Sequence, residues 1–223
     1  MAVEQILRRC QLFRMRGQAS EVIGDFDSAL ADYQQCLTFG REAHDAQAEW
    51  QALLDLGFLW ASRNYVRTGE YFEQALALAR TLSDRHTLAH TLNRVGNWYV
   101  NIEQPSVGVG YHHEALEIFQ ALQDRSGLAE TYDLLGLASE ELGDPLQFTN
   151  FFRQAIALFR ELDDRIGLAS SLASVAVRGE NYFSSVCVAL PVTPAEIAAD
   201  AEEALTLARQ TGYRAASVTR SPY

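Results

Sequence analysis

Apolar residues return at intervals of three and four along most of the chain, interrupted by short polar turns. Residues 26 to 43 place Phe26, Ala29, Leu30, Tyr33, Cys36 and Leu37 on one face, the i, i+3, i+4, i+7 signature of an amphipathic helix. Ile6, Leu7, Cys10, Phe13 and Gly17 give residues 4 to 22 the same period. Between the two, Gly24-Asp25 breaks the pattern, and Asp25 is placed to cap the second helix. Helix, short turn, helix is the unit that the rest of the chain repeats.

The repeat has a measurable register. Asp84-Arg85, Asp124-Arg125 and Asp164-Arg165 recur at a spacing of 40. Eleven residues after each arginine comes a small residue, Gly96, Gly136 or Ala176. Further on, Ala115, Ala155 and Ala204 are each followed by Leu or Ile. A fixed period of this length predicts a stacked array with one continuous core, treated as a single array over 1–223. Its repeats fall at 4–43, 46–82, 85–121, 125–161 and 165–210.

In repeat three, Gly108 and Gly110 are expected to loosen the first turn of the second helix, 106 to 121. Asp144-Pro145 in repeat four is an N-cap followed by an N1 proline. Repeat five carries an insertion within 179–192 that includes the apolar run Val186 to Leu190. Thr193-Pro194-Ala195-Glu196 then supplies an N-cap, an N1 proline and a capping-box glutamate. Residues 212–223 read as an incomplete sixth repeat. The recurring glycines at 17, 57, 96 and 136 each cost a helix about 1 kcal/mol relative to Ala, so close helix packing is the expected return.

Leu53-x-x-Leu56-Gly57-x-x-Trp60, Leu92-x-x-Val95-Gly96-x-x-Tyr99 and Gly24-Asp25-Phe26-x-x-Ala29-Leu30-x-x-Tyr33 resemble the tetratricopeptide repeat, and the likeness covers almost the whole chain. The period and the Asp-Arg turns look like the long variant of bacterial regulators and kinesin-light-chain-like scaffolds. Departures are the missing closing proline, Ser20 and Ser139 where the family usually has an aromatic, and His112 where Tyr33, Phe72 and Phe152 stand. The resemblance implies an all-α fold, an α-solenoid of antiparallel helix pairs wound as a superhelix. It also implies a groove lined by the first helix of each repeat, taking an extended peptide or a partner's helix.

Composition narrows the chemistry. A net charge of −11 opposes nucleic acid, and the absence of lysine removes P-loop and Schiff-base chemistry. Cys10, Cys36 and Cys187 make no metal spacing, and Cys36 takes the slot of Ala75, Ala115 and Ala155, as a small core residue in a reducing compartment would. With no apolar h-region at the start and no stretch near 18 apolar residues, a cytoplasmic chain without membrane association is expected.

His86 and His90 share a helical face at i, i+4, yet no third ligand of matching spacing joins them, so no metal and no cofactor are expected. The carboxylates Glu130, Asp133, Glu140 and Glu141 suit a solvated face, and no nucleophile elbow is present; no enzyme activity is expected. A polar stripe on the first helix of repeat three, His90, Asn93, Asn97 and Asn101, lies off the expected core positions 88, 92, 95, 96 and 99. Its equivalents are Gln51, Leu54 and Phe58 in repeat two, and Glu130, Asp133 and Leu137 in repeat four. Mapped on the family, these residues line the groove. Asn93 and Asn97, one turn apart, would meet a peptide backbone, with Arg14 making one end positive and the acids of repeat four making the other negative. The leading expectation is a non-catalytic module that binds a protein or extended peptide, with a sensor domain of a larger regulator as the alternative. Ala204, Leu205, Leu207 and Ala208 form an apolar stripe expected to support self-association through the C-terminal helix.

Overall fold

The computed structural model describes residues 3–185 and 193–212. Ten helices and no strand occur among the described residues. Contacts divide the chain into two compact bodies, Met1–Tyr111 and His112–Tyr223. The N-terminal body holds α1 (Val3–Val22), α2 (Phe26–Glu42), α3 (Ala46–Trp60), α4 (Tyr65–Ala79) and α5 (Arg85–Asn101). The boundary falls inside α6 (Pro105–Leu122), and the C-terminal body continues with α7 (Arg125–Glu141), α8 (Pro145–Glu161), α9 (Arg165–Ser185) and α10 (Pro194–Thr211).

One device makes most of the turns. A residue in the left-handed conformation ends a helix, and the aspartate after it starts the next. His44, Gln123 and Asp163 have φ of 54°, 55° and 52°, while Gly24 and Gly143 have 80° and 70°. The aspartate N–H then reaches back five residues, Asp124 to Phe119 O at 3.0 Å and Asp164 to Phe159 O at 3.0 Å, closing the preceding helix. Its carboxylate meanwhile accepts from the helix that follows, Asp124 Oδ1 from Gly127 N at 3.0 Å and Asp164 Oδ1 from Gly167 N at 2.9 Å. A single aspartate therefore closes one helix and caps the next, which fixes a sharp reversal. Thr193 and Glu196 complete the expected capping box of α10.

The reversals bring paired helices together at glycines. A Cβ built at Gly57 would meet the Phe72 ring at 2.3 Å, and one at Gly136 the Phe152 ring at 2.6 Å. Those rings are buried, so the glycines create room for the largest core side chains. Gly108 has a related role. It does not loosen α6, which begins at Pro105 as continuous helix; a Cβ there would meet Gly96 O at 2.5 Å.

In the N-terminal body, α2 packs on α1 and α3, and α4 on α3 and α5. Its core includes Ala29, Tyr33, Leu56 and Leu59, beside a cluster of Cys10, Cys36 and Ala52. In the C-terminal body, α8 packs on α7 and α9, and α10 on α9, around Phe148, Phe152, Phe159, Leu168, Leu172 and Val175. The α10 stripe is largely used here. Ala204 is buried in that core and Leu207 packs against it, leaving Leu205 exposed. Helix α9 runs on to Ser185, into the insertion; Val186 to Leu190, and the incomplete repeat from 213 on, lie outside the described residues.

Candidate ligand-binding face

In the N-terminal body the first helices α1, α3 and α5 lie side by side. Helix α1 touches α3, and the Trp50 indole N–H donates to Thr91 Oγ1 at 2.8 Å, joining α3 to α5. Thr91 in turn donates to the Thr87 carbonyl at 2.7 Å, so this buried indole bond ends on a satisfied hydroxyl.

Between α1 and α3 the face opens into a cavity of about 290 Å³ lined by Cys10, Gln11, Arg14, Gln47, Gln51 and Asp45 among others. At its edge Arg14 Nε donates to Asp55 Oδ2 at 2.5 Å and Nη2 to Oδ1 at 3.2 Å, a bidentate pair. Gln51 Nε2 adds a third donor to Asp55 at 3.1 Å. The hydrogen bond to Asp55 pushes the Arg14 guanidinium further above its ordinary value. Arg14 is thus neutralised by Asp55 and does not make this end of the face positive, contrary to the expectation from sequence.

Further along α3, Phe58 is 44% exposed, held edge-on to Phe72 at 5.3 Å with the Arg94 guanidinium 5.5 Å from its ring centre. On α5, Asn97 is half-buried and Asn101 exposed. His90 is half-buried, its Nε2 3.2 Å from Nε2 of His86, so the two imidazoles share a proton donor and acceptor. Asn93 departs from the expectation. It is fully buried, and Leu54 at the same slot of α3 is buried as well. A first helix in the stack is enclosed on its flanks as well as on its paired side: α5 buries Thr87, Ala89 and Thr91, while Leu88 and Tyr99 are only half-buried. The apolar arc is wider than the i, i+3, i+4 pattern indicates, and Asn93 falls within it.

In the C-terminal body, Glu130 and Leu137 are half-buried on α7, Leu137 against the core. Asp133 accepts a 2.5 Å hydrogen bond from Ser171 Oγ, which ties α7 to α9. A larger cavity, about 450 Å³, lies at the α8–α9 turn beside α10 and includes Phe159, Asp164, Leu168 and Leu207 in its lining. Its charged rim is committed to the pairs Asp163–Arg165 and Arg160–Glu203, and Asp164 to capping α9. It is a packing gap at a turn and a poor candidate for a ligand.

Asp55, Arg94, Gln11 and Gln47 were not singled out by sequence reasoning. The signal was in the register: Gln11 precedes Gln51 by 40, and Asp55 precedes Arg94 by 39, as Gly57 precedes Gly96.

No family model matches the sequence, and no curated protein matches it. Among solved structures the chain is similar to BtubC (BKLC) from P. vanneervenii, with a TM-score of 0.67 and 18% identity over 95% of this chain and 92% of that one. It is also similar to a signal transduction ATPase with numerous domains from Pyrococcus horikoshii that carries a tetratricopeptide repeat sensor, with a TM-score of 0.64 and 15% identity. That match covers 94% of this chain and 34% of the larger protein. The fold is a tetratricopeptide-like helical repeat. None of the helices described is long and apolar enough to cross a membrane.

Proposed function

We propose that this chain is a non-catalytic binding module, of the long-repeat tetratricopeptide kind, that holds an extended protein segment on the face of α1, α3 and α5. The observation that carries this reading is the make-up of that face. Gln11, Gln47 and Gln51 line a cavity of about 290 Å³ together with Arg14 of the bidentate ion pair, while the exposed Phe58 ring and the amides Asn97 and Asn101 stand further along α3 and α5. Amides offer both donor and acceptor to a peptide backbone, and a fixed ring such as Phe58 gives a side chain an apolar seat without ordering a loop. The ion pair ties α1 to α3 and keeps the floor polar.

Arg14 no longer distinguishes one end of the face, and the chain carries a net charge of −11. A basic segment is the complementary partner, and a cytoplasmic protein is its expected source. Selection of a random peptide library on the full chain tests the proposal. Enrichment of extended sequences rich in Arg and Lys, lost with Phe58→Ala/Asn97→Ala, is expected. Equal enrichment on that variant would rule the face out. The second reading, a sensor domain acting within a larger regulator, is favoured by the similarity to the sensor-bearing ATPase, and it uses the same face.

A further inference from the structure

The described cysteines, Cys10 on α1 and Cys36 on α2, meet in the buried cluster with Ala52. Each thiol lies against the other's main chain: Cys36 Sγ is 3.1 Å from the Cys10 carbonyl oxygen and Cys10 Sγ is 3.8 Å from that of Cys36. The repeat shows that packing does not ask for sulfur here. Counting 7 residues back from Gly17 and Gly136 gives Cys10 and Ala129, and the slot of Cys36 is Ala155 in repeat four. Ala129 and Ala155 are both fully buried in one core cluster. A methyl on each helix fills these positions in repeat four, whereas repeat one has a thiol on both.

Buried as they are, the two thiols have an opening beside them. Both line the cavity between α1 and α3, whose wall carries the Arg14 guanidinium. A hydrogen bond with the Cys36 thiol holds that of Cys10 below its ordinary value, while Cys36 itself is pushed up by the same hydrogen bond and by burial. Cys10 is also the less enclosed of the two, 7% exposed against 1% for Cys36, and so is the group to react first.

We propose that Cys10 and Cys36 are a redox-modified dithiol, closing to a disulfide that locks α1 onto α2 when a low-molecular-weight disulfide enters the cavity. The Cys10 thiolate attacks one sulfur of that disulfide. A Cys10 mixed disulfide forms, the incoming S–S bond breaks, and one small thiolate leaves and takes up the proton Cys10 gave away. The Cys36 thiolate then attacks Sγ of Cys10, forming the Cys10–Cys36 bond and expelling the second small thiolate, which takes the proton of Cys36. Two electrons pass from the pair to the small disulfide, which is reduced to two thiols. The reverse exchange with excess small thiol restores the pair.

The test uses the full chain with oxidised glutathione, followed by alkylation of remaining thiols and a non-reducing tryptic map. Cleavage after arginine isolates Cys10–Arg14 and Gly17–Arg41, so the bridge gives one linked pair of peptides. That species is expected in the wild-type chain and in Cys187→Ser. Cys36→Ala, which installs the residue found at 155, should stop at a stable glutathione adduct on Cys10. Oxidation of the Cys187→Ser chain should also slow amide exchange of α1 and α2 by roughly a hundredfold, because the cross-link removes loop-closure freedom from the opened state. Three results would overturn the proposal: a wild-type chain that keeps glutathione on Cys10 without the bridge, links from Cys187 in its place, or thiols at 10 and 36 that react only after denaturation. If Cys36→Ala does not fold, the Cys187→Ser map still decides.

Discussion

At the scale of single residues the turns explain themselves, because capping is local chemistry. Aspartate before a helical pattern reads as an N-cap, and Asp25, Asp45, Asp84, Asp124, Asp144 and Asp164 all serve so. What the sequence conceals is the left-handed residue in front, since His44, Gln123 and Asp163 carry no glycine to announce it. A non-glycine residue there is held against its own backbone preference. Gln123→Gly should therefore raise stability by about 0.5–1 kcal/mol, read from the urea midpoint, with no change in the slope. Asp84 gives a pH signature. Hydrogen bonds from Thr87 and from the backbone N–H of His86 hold its carboxyl below the ordinary value. A depressed carboxylate stabilises the fold above its unfolded pKa, and that contribution disappears as the pH falls through the folded one. Stability of wild type and Asp84→Ala should accordingly differ by about 1 kcal/mol at neutral pH, and the difference should begin to narrow only as the pH falls below about 4, the unfolded carboxylate value.

At the scale of elements the pairing of helices was legible and the width of their buried faces was not. Gly17, Gly57 and Gly136 stand out because glycine is unwelcome inside a helix, and the structure sets Tyr33, Phe72 and Phe152 against them. Asn93 was misread because its burial depends on which helices flank α5, information absent from the periodicity of α5 alone. The Arg14–Asp55 pair, 41 residues apart, was hidden for the same reason. Two glycine substitutions separate packing from propensity. Gly136→Ala places a methyl 2.6 Å from the Phe152 ring and should destabilise by about 1–3 kcal/mol, since a closely packed core yields little. Gly110→Ala, on α6 with nothing within 4 Å, should gain about 0.5–1 kcal/mol from helix propensity. Thermal melts of both variants check the pair, and a like sign for the two would contradict the packing role of Gly136.

At the scale of the whole molecule, fold similarity at 18% and 15% identity says how the chain is built and leaves its ligand to the chemistry of its surface. That chemistry changes one part of the expectation and keeps another. Asn93 is enclosed, so under the proposed function the amide ladder for a peptide backbone would lie one turn along α5, at Asn97 and Asn101, still four residues apart. Four helical residues rise about 6 Å. An extended peptide repeats every two residues at about 6.6 Å, so the shifted pair keeps the spacing. The charge gradient does not survive, because Asp55 cancels Arg14. What remains is a net charge of −11, which attracts a basic segment over a distance set by salt. Titration of a selected peptide should then show affinity falling as salt rises, mostly through slower association. Asn97→Ala and Asn101→Ala should each weaken binding by about 0.5–1.5 kcal/mol, the net worth of one hydrogen bond. Phe58→Ala should cost more than 1 kcal/mol if its ring is an anchor. Asn93→Ala should lower stability and leave the intrinsic affinity of the folded chain unchanged, because its amide is closed to any ligand. Glu70→Ala/Gln74→Ala, on the exposed side of α4, serves as the control that alters charge and amide content away from the face. Binding that ignores Asn97, Asn101 and Phe58 but responds to the α4 pair would move the ligand to the second helices, whose aromatic residues would then need a new account.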